Sequence, residues 1–251
     1  MPHQKDRPLL ELIQLFFGVG KIINLRKDYI LYRVSSKKDL AVIIDHFDKY
    51  LLKKTCRLWT FQTSLSHKEH LTPEGLRKLV AIKASMNLGL SDELKASFPD
   101  VIPVKRPLVK DQNIQDPYWL AGFTSGEGCL FVDISKSKTI TGFNVTLNVR
   151  ISQHSRDVEL LNNIISYLGC GRVTCATGGD CWFVVTKLSD IETKIIPFYN
   201  KYNIEGVKAL DYADFKKVAE IMKVKGHLTE EGLEAIRKLK AGMNTGRLIS
   251  V

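Results

Sequence analysis

Glu127 is the residue whose surroundings best suit it to do chemistry. It sits between Gly126 and Gly128, where a short helix that opens at Asp116-Pro117 runs out. A carboxylate presented at a helix end can hold a divalent cation. Carboxylate-held cations activate water and stabilise the leaving oxygen in phosphodiester hydrolysis. Mg²⁺ is the natural choice, because it keeps several waters and needs few protein ligands. Lys208, and Lys54 at the matching place of an internal repeat, each precede a helix and could stabilise phosphate charge. Each lysine reads equally well as an ordinary surface residue. The Gly-Glu-Gly pattern also fits a glycine-containing core helix with a capping glutamate.

The helix that carries Glu127 has clear local signals. Asp116 is an N-cap acceptor, and Pro117 has a fixed φ that suits the first turn. Trp119, Leu120 and Phe123 recur three or four apart and predict one buried stripe. Ala121 with Ser125, and Gly122 with Gly126, form a second stripe of small residues. Glycine costs a helix interior roughly 1 kcal/mol relative to alanine. The spacing therefore predicts close approach of another backbone. Behind Glu127, Cys129-Leu-Phe-Val reads as a buried strand.

A second constellation lies on the strands. Asn144, Thr146, Asn148, Arg150 and Ser152 alternate with Val145, Leu147, Val149 and Ile151, so the polar set is expected on an open face and the apolar set on the core. Asn, Arg, Thr and Ser are side chains that can read base edges. Arg172, Thr174, Thr186 and Lys187 would extend this face, with Lys136 and Lys138 in the turn ahead of it. Lys21, Asn24, Arg26, Lys27, Arg33 and Ser35 would be the counterparts in the first repeat. A merely solvated sheet face has the same alternation.

Composition leans the same way. The 251 residues carry 37 Lys and Arg against 27 acids, a net charge of +10, which favours a polyanionic partner, nucleic acid before membrane. Hydrophobic content of 44% supports a real core. No apolar run is long enough to span a bilayer, and the N-terminus lacks a signal-peptide layout. Cys56, Cys129, Cys170, Cys175 and Cys181 lack the paired clips of a structural zinc site and read as buried or strand thiols in a reducing compartment.

The chain repeats itself once. HLTPEGLRKLVAIKASMNLG at 70–89 is echoed by HLTEEGLEAIRKLKAGMNTG at 227–246, and the leucine-rich helix ending Gly18-Val-Gly20 by the one ending Gly169-Cys-Gly171. Helix, then Gly-x-Gly, then strand suits a C-cap and tight turn, the reverse of a dinucleotide-binding loop. The fold class expected is α+β, duplicated αββαββα. The first repeat spans 1–96. Residues 97–115 form a proline-containing surface linker, and the second repeat spans 116–251. Helices are expected at 7–17, 36–49, 55–66, 116–127, 155–168, 189–199, 207–225 and 229–241, with one opening at Thr72. Strands are expected at 21–24, 28–35, 129–135, 143–153, 171–176 and 181–186. The second repeat has about 36 residues, 116–151, ahead of the shared region, whereas Met1 falls just before the shared helix of the first.

WLAGFTSGEG at 119–128, with DLAVIIDHFDKY, HLTPEGLRKL and YLGCGRV, resembles the LAGLIDADG homing endonucleases, specifically the two-repeat single-chain type encoded in fungal mitochondrial introns. The resemblance runs from about His3 to Arg247. It implies two halves whose signature helices pack together and whose antiparallel sheets form a DNA-gripping saddle. It implies Mg²⁺ or Mn²⁺ as cofactor, with Ca²⁺ a non-productive substitute, and Glu127 as catalytic acid and metal ligand beside Gly126. It places Gln153 in the solvent network around the metals and Lys208 near the scissile phosphate, with Lys54 its partner in the internal repeat. The implied partner is a double-stranded DNA target site, cut across the minor groove by a monomer in the mitochondrial matrix, with no membrane. Some relatives act as maturases on intron RNA, so a non-catalytic nucleic-acid binder is the alternative, and a basic protein recruited to a mitochondrial ribosome a third. This sequence departs from the pattern in lacking a first signature helix. The chain is expected to begin at an internal methionine of a longer reading frame. A decayed remnant would show the same gap, and a dimer formed through the Asp116 helices of two chains would fill it.

Overall fold

The computed structural model describes residues 3–26, 28–50, 71–85, 89–105 and 112–247. In chain order the elements are α1 (Arg7–Phe17), β1 (Lys21–Arg26), β2 (Tyr29–Arg33), α2 (Lys37–Lys49), α3 (Pro73–Ala84), α4 (Asp92–Ser97), α5 (Pro117–Glu127), β3 (Gly128–Lys136), β4 (Phe143–His154), α6 (Val158–Leu168), β5 (Arg172–Cys175) and β6 (Asp180–Val185). A composite helix α7 follows, running Leu188–Asp190, through a π turn at Ile191–Ile195, to Ile196–Lys201. The last two are α8 (Lys208–Lys223) and α9 (Glu230–Ala241). The helix expected at 55–66 lies outside the described residues.

The chain divides into two compact units. One comprises Met1–Phe16, Ile22–Tyr32 and Asn113–Val251, the other Phe17–Lys21 and Arg33–Gln112. In the larger unit four strands form an antiparallel sheet in the order β3-β4-β6-β5. One face is the core. Leu130 and Val132 of β3, Val145, Leu147, Val149 and Ile151 of β4, and Cys181, Phe183 and Val185 of β6 pack with Leu161 and Ile164 of α6 and Phe215 and Val218 of α8. Leu233 and Ile236 of α9 complete that layer. The period-two pattern therefore places its apolar set as expected. In the smaller unit Ile44 of α2 and Val80 and Ile82 of α3 are buried. There Thr72 caps α3 by accepting from the Gly75 amide at 3.1 Å. Thr229 does the same for α9 through Gly232, also at 3.1 Å, which is the repeated H-L-T-x-E-G stretch realised twice.

The Gly-x-Gly turns behave as the sequence suggests. Gly169 ends α6 at φ +67°, and Gly171 enters β5 at φ +93°, with Gly18 and Gly20 likewise left-handed. A Cβ on Gly171 would lie 2.5 Å from the Phe183 ring, so both conformation and space demand glycine there.

Three expectations change. The segment before α5 is not all surface: Gln112 and Ile114 are buried, and Ile114 belongs to the core cluster. β3 is an edge strand, not a buried one, and Cys129 and Asp133 are exposed. Cys175 and Cys181 are not separate thiols. They face each other across the β5–β6 pairing, with Cα atoms 4.1 Å apart, and are joined as a disulfide. The cross-strand neighbour of a cysteine depends on register, which composition does not encode.

His227, just ahead of α9, gives a pH test of this packing. Its Nδ1 is buried with no hydrogen-bond partner, and burial pushes the imidazole pKa down. As pH falls through about 6.5 the unfolded chain takes up this proton before the folded one. The contribution to stability is thus full above that value and lost below it. His227→Gln is expected to flatten the fall in urea midpoint between about pH 7 and about pH 5 relative to wild type.

Candidate active site

The site is built from the end of α5, where each residue of the last turn is fixed separately. Asp116 accepts from the Tyr118 amide at 2.9 Å to start the helix. Leu120 and Ala121 face inward and are fully buried. Trp119 and Phe123 are half-buried and stack with ring centroids 4.8 Å apart. Thr124 is buried, with its hydroxyl 2.7 Å from the Tyr199 phenol. Burial holds that phenol well above the usual tyrosine range, so it stays protonated as a hydrogen-bonding partner. Ser125 donates to the Ala121 carbonyl at 2.8 Å and accepts from the Glu205 amide at 2.9 Å. Gly128 then turns the chain straight from helix into β3. A Cβ at Gly128 would meet Thr124 Cγ2 and carbonyl oxygen at 2.6 Å, so this helix–strand junction excludes any larger residue.

Glu127, the last residue of α5, is exposed. Gly122 and Gly126 are exposed as well, and a Cβ at either would meet no described heavy atom within 4 Å. The backbone that the small stripe was expected to approach is therefore not among the described residues.

Lys208 comes to this helix end. It is the first residue of α8, and its Nζ donates to the carbonyls of Thr124 at 3.2 Å, Ser125 at 2.8 Å and Gly126 at 3.4 Å. The last carbonyls of a helix lack intrahelical partners and carry the negative end of its dipole, so an ammonium is favoured there. Burial lowers the lysine pKa, opposed by Cys129, Asp6, Glu127 and Asp211. Asp6 also accepts from the Val207 amide at 3.3 Å and so holds the start of α8. Lys208 is thus no free surface cation. It is a clamp on the helix that ends in Glu127.

Two residues beyond Glu127 the open face of the sheet begins. Register places Cys129 beside Arg150, Arg150 beside Val184, and Val184 beside Arg172. The next row is Ser152, Trp182 and Thr174. Outward along the hairpin, Asn148 pairs with Phe131, Thr146 with Asp133, and Asn144 with Ser135. Asn144, Arg150, Ser152, Arg172 and Thr174 are exposed, and Thr146 is partly so. Arg172 reaches Thr186 at 3.4 Å, and Lys187, Lys136 and Lys138 are exposed around the rim. Asn148 corrects the expectation of a solvated residue. It is 7% exposed, its amide turned back to the Thr146 carbonyl at 3.2 Å. Gln153 lies on the core side of β4, opposite Cys181 and 7% exposed.

In the first repeat, Lys21, Asn24, Arg33 and Ser35 are exposed. Asn24 accepts from Arg7. Alternation sets Lys21 and Asn24 on opposite faces of β1. Arg26 ends β1, and Lys27 and Lys54 lie outside the described residues. Phe131 and Trp182 are the aromatic face residues that sequence reasoning missed, and Cys129, Asp133 and Ser135 of β3 lie on the same face. Arg150 stands over the Phe131 ring at 5.1 Å. Carrying the alternation across the turn at residues 137–142 would have found Phe131.

A sequence profile described as "LAGLIDADG endonuclease" matches residues 1–64 and 120–219 of this chain. The chain belongs to this family. Among solved structures, I-SmaMI bound to uncleaved DNA target in the presence of calcium ions is 44% identical. The likeness covers 98% of this chain and 86% of that one, with a TM-score of 0.92. The LAGLIDADG homing endonuclease I-GzeII, in complex with DNA target, is 39% identical over 98% of this chain and 87% of its own, with a TM-score of 0.89. The α+β fold is therefore the family's. A probable intron-encoded endonuclease 3 of Neurospora crassa is 38% identical over 94% of this chain and 46% of its own length. The chain spans about half the length of the curated relatives it matches.

Proposed function

We propose that this LAGLIDADG protein is a site-specific endonuclease of double-stranded DNA, of the intron-homing kind. One observation carries the reading: an exposed carboxylate ends a helix whose last carbonyls are held by Lys208, directly beside a sheet face that presents Arg150, Arg172, Asn144, Thr146, Ser152 and Thr174. Phosphate contacts from the arginines would set affinity and position, and the amide and hydroxyl side chains would read base edges. The relatives described as intron-encoded, and the DNA targets named for I-SmaMI and I-GzeII, support the substrate class.

Mg²⁺ fits the donor set. Among the described residues no group of three His, Cys, Asp or Glu stands ready to hold a metal. A site with one protein carboxylate suits a cation that keeps its waters and shares substrate phosphates. Glu127 would hold it, with the Gly126 carbonyl adjacent, although that carbonyl already accepts from Lys208. Such a cation supplies a water of lowered pKa and charge for the leaving oxygen. The chain's own part is positional: Lys208 fixes the helix end, and the open face orients the duplex. Gln153, buried on the core side, would act through ordered solvent. We assign repeats to 1–96 and 116–251 with the linker between, Lys54 as the counterpart of Lys208, and synthesis in the mitochondrion, as the intron encoding of similar proteins from fungi favours.

The second reading is a binder of DNA or intron RNA that does not cut. Incubating a plasmid that carries the intron-less insertion site with protein and Mg²⁺ separates the two. Linearisation is expected, and salt-sensitive binding without a break would support the binder. The face itself has its own test. Arg150→Ala and Arg172→Ala are each expected to reduce the slope of log affinity against log salt by about 1, uniformly across sequences. An unchanged slope in both would remove the sheet from the interface.

A further inference from the structure

We infer that Asn244 and Asp211 are positioning residues, which set Glu127 and Lys208 against one another through the turn that follows α9. The functional part of this inference rests on the DNA-cleaving reading, and the geometric part stands alone. Asp211 lies one turn beyond Lys208 on α8 and is 5% exposed. Its Oδ1 accepts from the Asn244 amide at 3.0 Å and from Arg247 Nε at 2.9 Å. The same guanidinium donates to Asp214 at 2.7 Å. Asn244 Nδ2 in turn donates at 3.0 Å to the carbonyl of Leu130, three residues past Glu127.

These bonds close a ring. It runs from Glu127 along the start of β3 to Leu130, across to Asn244, to Asp211, back one turn of α8 to Lys208, and across to the carbonyls of Ser125 and Gly126. A ring with two cross-links fixes both groups, whereas either link alone would leave a hinge. Arg247 pairs with the buried Asp211 carboxylate at 2.9 Å and so holds its direction. Residue type is constrained at Asn244. Its backbone is left-handed at φ +53°, a region that Asn tolerates, and it must also donate. Glycine could adopt the turn but not make the link. The M-N-x-G of this turn recurs in both repeats.

The test uses Asn244→Gly, which keeps the turn, and Asn244→Asp, which keeps the size but cannot donate to Leu130. Both are expected to bind target DNA in Ca²⁺ as wild type does, while single-turnover cleavage in Mg²⁺ falls about tenfold or more. A second readout needs no activity. The Cys129 thiol lies 3.8 Å from Asn244 Oδ1, so its alkylation, followed by mass spectrometry of its peptide, should become severalfold faster in Asn244→Gly, the variant that adds no charge beside the thiol. If Asn244→Asp cleaves as wild type does, or if Asn244→Gly alkylates as wild type does, the inference is overturned. So it is if binding and cleavage fall together, which marks a merely structural role. If wild type does not cut but alkylation at Cys129 still accelerates, the ring stands and the endonuclease reading fails.

Discussion

Glu127→Gln is expected to give a folded protein that holds its DNA site and no longer breaks it. The side chain is exposed at the end of α5, and the amide has the same shape, so little packing is disturbed. What is lost is the charge. A neutral amide oxygen holds a divalent cation far more weakly than a carboxylate does, and at least about 10²-fold of single-turnover rate should go with it. Binding measured in Ca²⁺ should be retained, because on the proposed reading affinity would come from Arg150, Arg172 and the rim lysines rather than from an acid. Glu127→Asp, which withdraws the carboxylate by one methylene, should keep part of the rate. Wild-type cleavage by the Gln variant would reduce Glu127 to a surface acid at a helix end.

Lys208→Met should damage stability and turnover together. The methionine keeps much of the apolar stem but removes the Lys208 donor from the Ser125 and Gly126 carbonyls, while the Thr124 carbonyl keeps the Gly128 amide. Hydrogen bonds from a charged group contribute about 1.5–3 kcal/mol, and partial exposure places this clamp toward the lower end. Urea unfolding without DNA reads that loss. Single-turnover cleavage, read separately under conditions where the variant is folded, should drop by about 10²-fold as the helix end loosens around Glu127. Lys208→Arg tests geometry: a planar fork cannot converge on three carbonyls as an ammonium does, so rescue should be incomplete. A variant as stable as wild type would show that the carbonyls find water instead.

What the sequence made legible follows from how locally each feature is encoded. The α5 cap, the Gly-x-Gly turns and the Thr72 and Thr229 caps depend on residues a few positions apart, and all are found as read. The open face was legible for Arg150, Ser152, Arg172 and Thr174, because strand alternation is local too. Asn148 was misjudged because burial depends on its neighbours. The alternation that exposes Arg150 also sets Asn148 on the open face, opposite Phe131, where it is nevertheless buried. The Cys175–Cys181 link and the Asp211–Asn244–Arg247 cluster join residues brought together only by folding. The repeated M-N-x-G stretch was visible as a motif, but nothing in one dimension says that its asparagine reaches Leu130. Lys208 was singled out as a phosphate neighbour. Its bonds to α5 give it an additional, structural role that spacing alone could not reveal.

The central claim is that one carboxylate, held at the tip of α5, brings a divalent cation to a DNA backbone lying on the open sheet face. Anomalous scattering from Mn²⁺ in a crystal of the protein with its target duplex tests it most directly. The account expects a peak about 2.0–2.3 Å from a Glu127 oxygen that also contacts a phosphate oxygen of the duplex. A duplex seated on the sheet with manganese absent from Glu127, or a duplex bound to another surface, would contradict it.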